Sequence, residues 1–173
     1  TRDGLLGYNP EDKKFVRPGE MPDNTGLPDL KGLRVLKMIQ SRNGDYWIAS
    51  QDGLFRKKHG SSPVVRFHTD APPERKINSN LIYALIEDRQ GLIWAGTTQG
   101  VNIIDSQSSV IKNLNVFKSL PDNFITALCE DHKGDIWIGT SSRVTKFCKE
   151  DSSLIHYTKD AGLPGDLVYT IIE

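Results

Sequence analysis

Asn80-Leu81-Ile82-Tyr83-Ala84-Leu85-Ile86-Glu87-Asp88-Arg89-Gln90-Gly91-Leu92-Ile93-Trp94-Ala95-Gly96-Thr97 aligns without a gap to the stretch from Asn123 to Thr140. The two share Asn, Ile, Ala, Leu, the Glu-Asp pair, Gly, Ile-Trp and Gly-Thr in register. A third copy runs from Leu33 to Ser50 and keeps Gly44, Trp47 and Ile48. Trp47, Trp94 and Trp137 stand 47 and 43 residues apart. Self-similarity at one period decides the architecture, because each copy is a unit that buries its faces only against its neighbours.

Each copy reads as four short strands. Leu81 to Glu87 is the first, with Ile82, Ala84 and Ile86 alternating with Tyr83, Leu85 and Glu87. Asp88-Arg89-Gln90-Gly91 is a turn, since Asp bonds the backbone ahead of it and Gly takes positive φ. Leu92 to Thr97 is the second strand and Val101 to Asp105 the third. The fourth lies near Ile111 to Phe117, matched by Val64 to Phe67 and Leu154 to Tyr157. No helical period competes. Four antiparallel strands at a period in the forties predict an all-β fold of β-propeller blades, about four in this chain. A β-helix has shorter coils and lacks hairpin turns at these offsets.

The copies divide the chain near 1–31 (partial), 32–78, 79–121, 122–162 and 163–173 (partial). Thr1-Arg2-Asp3-Gly4-Leu5 matches Thr97 to Val101, and Gly165 to Glu173 matches the approach to Glu87 and Glu130. Four-bladed closure needs a composite blade that lacks its second strand. The expectation is therefore a segment of a larger ring, one that self-associates through open blade edges if it stands alone.

Composition excludes several classes. Lys plus Arg and Asp plus Glu are both 22, so no basic excess points to nucleic acid. Arg56-Lys57-Lys58-His59 precedes Gly60-Ser61-Ser62-Pro63 and reads as a solvated turn. No apolar run approaches the ~18 residues of a membrane helix, and no signal peptide opens the chain. Cys129 and Cys148 show no metal-ligand spacing; Cys129 replaces an apolar strand residue and reads as a buried thiol. His59, His68, His132 and His156 are scattered, and no phosphate loop or nucleophile elbow is present. Glu87-Asp88 and Glu130-Asp131 cannot converge for acid-base work, because neighbours in a strand point to opposite faces. They read as turn-stabilising. The expectation is no catalytic residue, no metal, no cofactor and no enzyme. A lyase, known among propellers, would need a His, a base and a metal at the channel mouth.

Candidate ligand contacts lie at the loops and the innermost strand. Arg143 stands where Gly53 and Gly100 do in their copies, which predicts local strain if the backbone there needs positive φ. Arg2, Gln51 and Gln99 occupy equivalent loops. Asn80 and Asn123 precede the innermost strand, as channel-facing ligands or as Asx turns. Tyr83 and Tyr169 share one innermost-strand position, as ring faces for a sugar or as packing between blades.

Leu120 to Thr140, read Leu-Pro-x-Asn-x-Ile-x-x-Leu-x-Glu-Asp-x-x-Gly-x-Ile-Trp-Ile-Gly-Thr, resembles the two-component regulator propeller repeat. Leu163-Pro164-Gly165-Asp166 repeats its opening. The resemblance implies the extracytoplasmic, periplasmic sensor propeller of a membrane-anchored bacterial hybrid two-component receptor, often of seven-bladed type. It implies oligosaccharides or their degradation products as ligand, and parent dimerisation. The alternative is a protein-interaction scaffold with no small-molecule ligand. The first copy departs from the pattern: Gln40 and Ser41 stand where Glu87 and Asp88 do. The segment Met21 to Lys31 keeps Gly26-Leu27-Pro28 but runs longer.

Overall fold

The computed structural model describes residues 4–20, 27–28, 30–60, 63–105, 111–114, 120, 122–163, 165 and 167–173. Arg2, Met21 to Gly26, Pro164 and Asp166 lie outside the described residues.

Fourteen strands fill the described residues. A two-stranded hairpin, β1 (Gly7–Asn9) and β2 (Lys14–Val16), comes first. Three four-stranded sheets follow. The first holds β3 (Val35–Gln40), β4 (Tyr46–Ser50), β5 (Gly53–Lys57) and β6 (Val64–Phe67). The second holds β7 (Ile82–Glu87), β8 (Leu92–Thr97), β9 (Gly100–Asp105) and β10 (Ile111–Leu114). The third holds β11 (Ile125–Glu130), β12 (Ile136–Thr140), β13 (Val144–Phe147) and β14 (Leu154–Tyr157). Every sheet is an antiparallel meander in chain order, and the sheets stack as propeller blades. Among the described residues no helix is long and apolar enough to cross a membrane.

Stacking follows from the pleat. Successive side chains of β8 alternate between two apolar cores. Ile93 and Ala95 face the first blade, beside Trp47, Leu54, Phe67, Ile82, Leu85 and Ile104. Trp94 faces the third blade, beside Ile125, Leu128, Ile136 and Ile138. Most of these side chains are fully buried, and each buried Ile or Leu is worth about 1.5–3 kcal/mol over an exposed one.

The innermost strand departs from simple alternation. A bulge lies between Ile82 and Ala84, and matching ones between Val35 and Lys37 and between Ile125 and Ala127. The extra residue flips the phase, so Ile82 shares a core with Leu85 rather than with Ala84 and Ile86. The strictly alternating pattern expected for this strand is thereby corrected. The bulge residue, Tyr83 in β7, is left unpaired on the free edge of the strand.

The glycine of Trp-x-Gly is a contact point. A Cβ on Gly96 would stand 2.5 Å from Ile125 Cγ2, and one on Gly139 would stand 2.9 Å from Val168 Cγ1. The next blade's inner strand presses on the bare backbone. The first blade has Ala49 at this position, fully buried in the core that holds Ile82.

The acidic pair divides its labour. Asp88 serves its own turn: Oδ1 accepts from the N–H of Gln90 (3.0 Å) and Leu92 (2.9 Å), and Oδ2 accepts from Trp94 Nε1 (2.7 Å). Asp131 repeats this with Lys133, Asp135 and Trp137. The glutamate reaches the preceding blade. Glu87 accepts from Arg42 N at 2.8 Å, Glu130 from Arg89 N at 2.9 Å and Glu173 from His132 N at 2.9 Å. The turn-stabilising role expected for the pair holds for Asp, whereas Glu joins blades. Where Ser41 replaces the aspartate, Trp47 Nε1 is buried without a hydrogen-bond partner.

A second substitution is coupled. In the first blade Arg56 lies over the Trp47 ring at 5.0 Å and pairs with Asp45 at 2.6 Å. In the third, Lys146 lies over Trp137 at 5.5 Å and pairs with Asp135 at 2.7 Å. The second blade carries Leu92 and Ile103 at the same two positions. An ion pair and an apolar pair thus fill one niche.

Candidate functional site

The free edges of the innermost strands define a cleft of about 180 Å³, with almost entirely polar walls. Lys37 enters from β3, Tyr83 from β7, Thr126 from β11, and Tyr169 and Thr170 from the segment 167–173. That segment occupies the inner-strand place beside β11: Val168 N–H donates to Thr140 O at 3.2 Å, and Thr126 Oγ1 donates to Val168 O. The bulge aims the side chains, because Tyr83 and Thr126 are the bulge residues of their strands. The Tyr83 ring packs on Phe124 with centroids 5.1 Å apart and keeps 38% of its surface exposed, while Tyr169 is 79% exposed. The fold therefore brings Tyr83 and Tyr169 to one cleft.

The other sequence-selected residues lie at one rim. Asn80 Oδ1 accepts from Thr69 N at 2.9 Å, and its backbone O accepts from Gly53 N at 2.8 Å. Its side chain is engaged in holding the preceding loop. Asn123 O accepts from Gly100 N in the same way, at 2.8 Å. The Asx role expected of these asparagines falls one residue earlier. Asp122 Oδ1 accepts from Phe124 N at 3.0 Å, and Ser79 Oγ accepts from Leu81 N at 3.2 Å. Burial pushes the Asp122 carboxyl up, but bonds from Ser141 and the Phe124 N–H outweigh it and hold it below the usual carboxylate range. Gln99 is exposed, its N–H bonded to Thr97 Oγ1 at 2.9 Å.

Arg143 closes the equivalent loop of the third blade. Gly53 and Gly100 take φ of +105° and +103°, whereas Arg143 is not among the residues with positive φ. The expected strain is absent, because the chain finds another path. Arg143 N–H turns to Thr140 Oγ1 at 3.1 Å instead of crossing to the next blade. Arg143 Nε is buried without a hydrogen-bond partner. None of Asn80, Asn123, Gln99 and Arg143 lines the cleft.

Sequence reading missed Lys37 and Thr126. Thr126 stands at the Tyr83 position of its copy and Lys37 at the Ala84 position, so copy-to-copy alignment marks both once the bulge is known. Cys129 is half-buried rather than buried, and burial together with the Glu173 charge pushes its thiol up. Among the described residues no group of three or more His, Cys, Asp or Glu comes together as a metal site.

A second concavity, apolar and about 600 Å³, lies between the third blade and residues 161, 163, 165 and 167–172, with Trp137, Val144, Tyr157 and Leu167 in its walls.

The chain is similar in fold to several solved structures. The extracellular domain of the hybrid two component system BT3049 from B. thetaiotaomicron superposes with a TM-score of 0.77 at 22% identity, over 96% of this chain and 22% of that one. The extracellular domain of BT4673, from the same organism, gives 0.73 at 18% identity, over 99% and 22%. Virginiamycin B lyase from Staphylococcus aureus gives 0.57 at 16%, over 77% and 42%. The chain thus spans about a fifth of the length of the two sensor domains. At these identities the likeness establishes the propeller fold. No curated protein matches the chain. Residues 76–99 and 119–142 each match the repeat described as two component regulator propeller.

Proposed function

We propose that the chain is a non-catalytic, ligand-sensing part of a propeller, carried outside the cytoplasm by a membrane-anchored two-component receptor, and that its ligand is an oligosaccharide. The observation that carries the reading is the cleft. Two partly exposed tyrosines border it together with Lys37, Thr126 and Thr170. Aromatic faces with hydrogen-bonding neighbours are what a sugar ring needs, since its C–H face is apolar and its rim is polar. The two repeat matches and the two extracellular domains of like fold support the setting. Blades 1–31, 32–78, 79–121, 122–162 and 163–173 are then consecutive pieces of a larger ring, of seven-bladed type. Arg143, Asn80, Asn123 and Gln99 are secondary contacts at its rim.

Titration calorimetry of the chain against a panel of oligosaccharides tests this. Binding that weakens at least tenfold in Tyr83→Ala and in Tyr169→Ala supports it. Binding to no member of the panel, or full binding by the double variant, refutes it.

The apolar groove at Trp137 favours a second reading, a docking surface for another protein segment. Crosslinking from Tyr157→Cys to a partner, with the tyrosine cleft inert, is the outcome that selects it.

A further inference from the structure

Two apolar faces stay open among the described residues, at opposite sides of the blade stack. The first belongs to the β1–β2 hairpin. Its Gly4 N–H donates to Leu33 O at 2.9 Å, as Gly53 does to Asn80 and Gly100 to Asn123. The hairpin therefore holds the place of a third and fourth strand ahead of the first blade. Tyr8 and Phe15 are register partners there, with ring centroids 5.4 Å apart, and are 50% and 71% exposed. Copy register equates this pair with Ile104 and Ile111, and with Phe147 and Leu154. In both of those copies the pair packs on the tryptophan core of the preceding blade. Ile104 and Ile111 join the core of Trp47, and Phe147 and Leu154 join that of Trp94, with the Trp94 and Phe147 rings 5.5 Å apart.

The second face is the far side of the third blade. Trp47 and Trp94 are fully buried, whereas Trp137 is half-buried and borders the apolar groove with Val144, Tyr157 and Leu167. Ile155 shares this face, because Trp137 pairs with Lys146 and Lys146 with Ile155, and it is exposed. One face thus offers a tryptophan without the pair that covers it in the other copies. The other face offers such a pair without a tryptophan.

We propose that a second copy of this chain covers the groove, its Tyr8 and Phe15 seated against Trp137 of the first. The inference rests on the docking reading of that groove and names its occupant. The two faces differ, so the contact is head-to-tail, and it leaves one face of each kind free unless the assembly closes. Each copy holds three four-stranded sheets. At each seam the segment 167–173 of one copy and the hairpin of the next make up one more blade. Two copies joined at both seams then make about eight blades, within the 4–8 that propellers close. No strand fills the second place of the seam blade, so the seam is looser than a joint within the chain and association is concentration-dependent.

Sedimentation velocity of the chain, from micromolar to submillimolar concentration, tests this. The expected result is a reversible shift from monomer to dimer, with tryptophan emission moving to shorter wavelength as Trp137 is covered. Tyr8→Asp/Phe15→Asp blocks one face and Ile155→Glu/Leu167→Glu the other. All four side chains are exposed, so both variants should keep the fold, which circular dichroism checks. Each variant alone should stay monomeric. An equimolar mixture should form a dimer and nothing larger, because one open head meets one open tail. A wild-type chain that is monomeric throughout overturns the second-copy assignment, and the docking reading then stands or falls by the Tyr157→Cys crosslink. A dimer that survives in either variant alone, or a mixture that stays monomeric while wild type associates, overturns the head-to-tail contact.

Discussion

Replacing Asp45 by Leu should cost this protein far more than replacing Asp45 and Arg56 together. Asp45 and Arg56 are each about 6% exposed at the side chain, with Nη2 and Oδ2 2.6 Å apart and Nε and Oδ2 2.8 Å apart. Asp45→Leu leaves the guanidinium buried without its counter-charge and frees the His59 N–H, which now donates to Asp45 Oδ1 at 2.8 Å. Breaking one side of a buried pair costs about 3–5 kcal/mol, whereas an apolar pair of similar volume is often neutral or better. The second blade shows which pair fits, namely Leu92 and Ile103. Asp45→Leu/Arg56→Ile should therefore recover most of the loss. Urea unfolding followed by tryptophan fluorescence reads the difference. With a slope of about 2 kcal/mol/M, the single variant lowers the midpoint by about 1.5–2.5 M. Acid adds a second signature. Burial pushes the Asp45 carboxyl up, but the His59 N–H and the Arg56 guanidinium outweigh it and hold it below its ordinary value. Its stabilisation is therefore full above the unfolded-state carboxylate pKa and is lost as pH falls through the lower folded one. The double variant should lose that part of the acid sensitivity. A single variant within 1 kcal/mol of wild type, or a double variant as unstable as the single, refutes the reasoning.

Gly96→Ala should destabilise by about 1–3 kcal/mol, since its Cβ would meet Ile125 Cγ2 at 2.5 Å; thermal unfolding measures it, and a neutral result denies the blade contact. Ser41→Asp should add about 1 kcal/mol by giving Trp47 Nε1 the acceptor that Trp94 has in Asp88, read as a higher urea midpoint and a changed Trp47 emission. Lys149 Nζ lies 2.9 Å from Asp88 Oδ2 and 3.0 Å from Glu130 Oε1, so Lys149→Met should cost about 2–4 kcal/mol by taking the ammonium away from the buried Asp88 carboxylate. Amide exchange in the Asp88 turn should quicken, and unchanged exchange there counts against the tether.

Much of this architecture is legible in the chain because its determinants are local and repeated. The turn Asp, the Gly that follows and the Trp of the second strand sit within a few residues of one another, and three copies state them. The bulge at Tyr83 is not legible, because Ile82, Ala84 and Ile86 satisfy simple alternation equally well. Nor is the reach of Glu87, whose partner Arg42 lies 45 residues away. Arg143 reads as a strained glycine site only if its loop copies the others, and the loop instead turns its N–H inward. In the cleft, Tyr83 and Tyr169 are paired by copy register alone. Lys37 is hidden because it falls in the copy that departs furthest from the pattern.

The glutamate joint has a consequence for how such a chain grows. Each copy after the first carries the acceptor for the copy before it, and each presents a backbone donor to the copy after it, through Arg42 and Glu87, then Arg89 and Glu130, then His132 and Glu173. A tandem duplication of a whole period that carries Glu87 or Glu130 therefore brings its own joint on both sides. A duplication of part of a period strands a donor in one turn and a carboxylate in another. Gene lengthening by whole periods is thus structurally silent at the seams, and the ring's size is set by curvature alone.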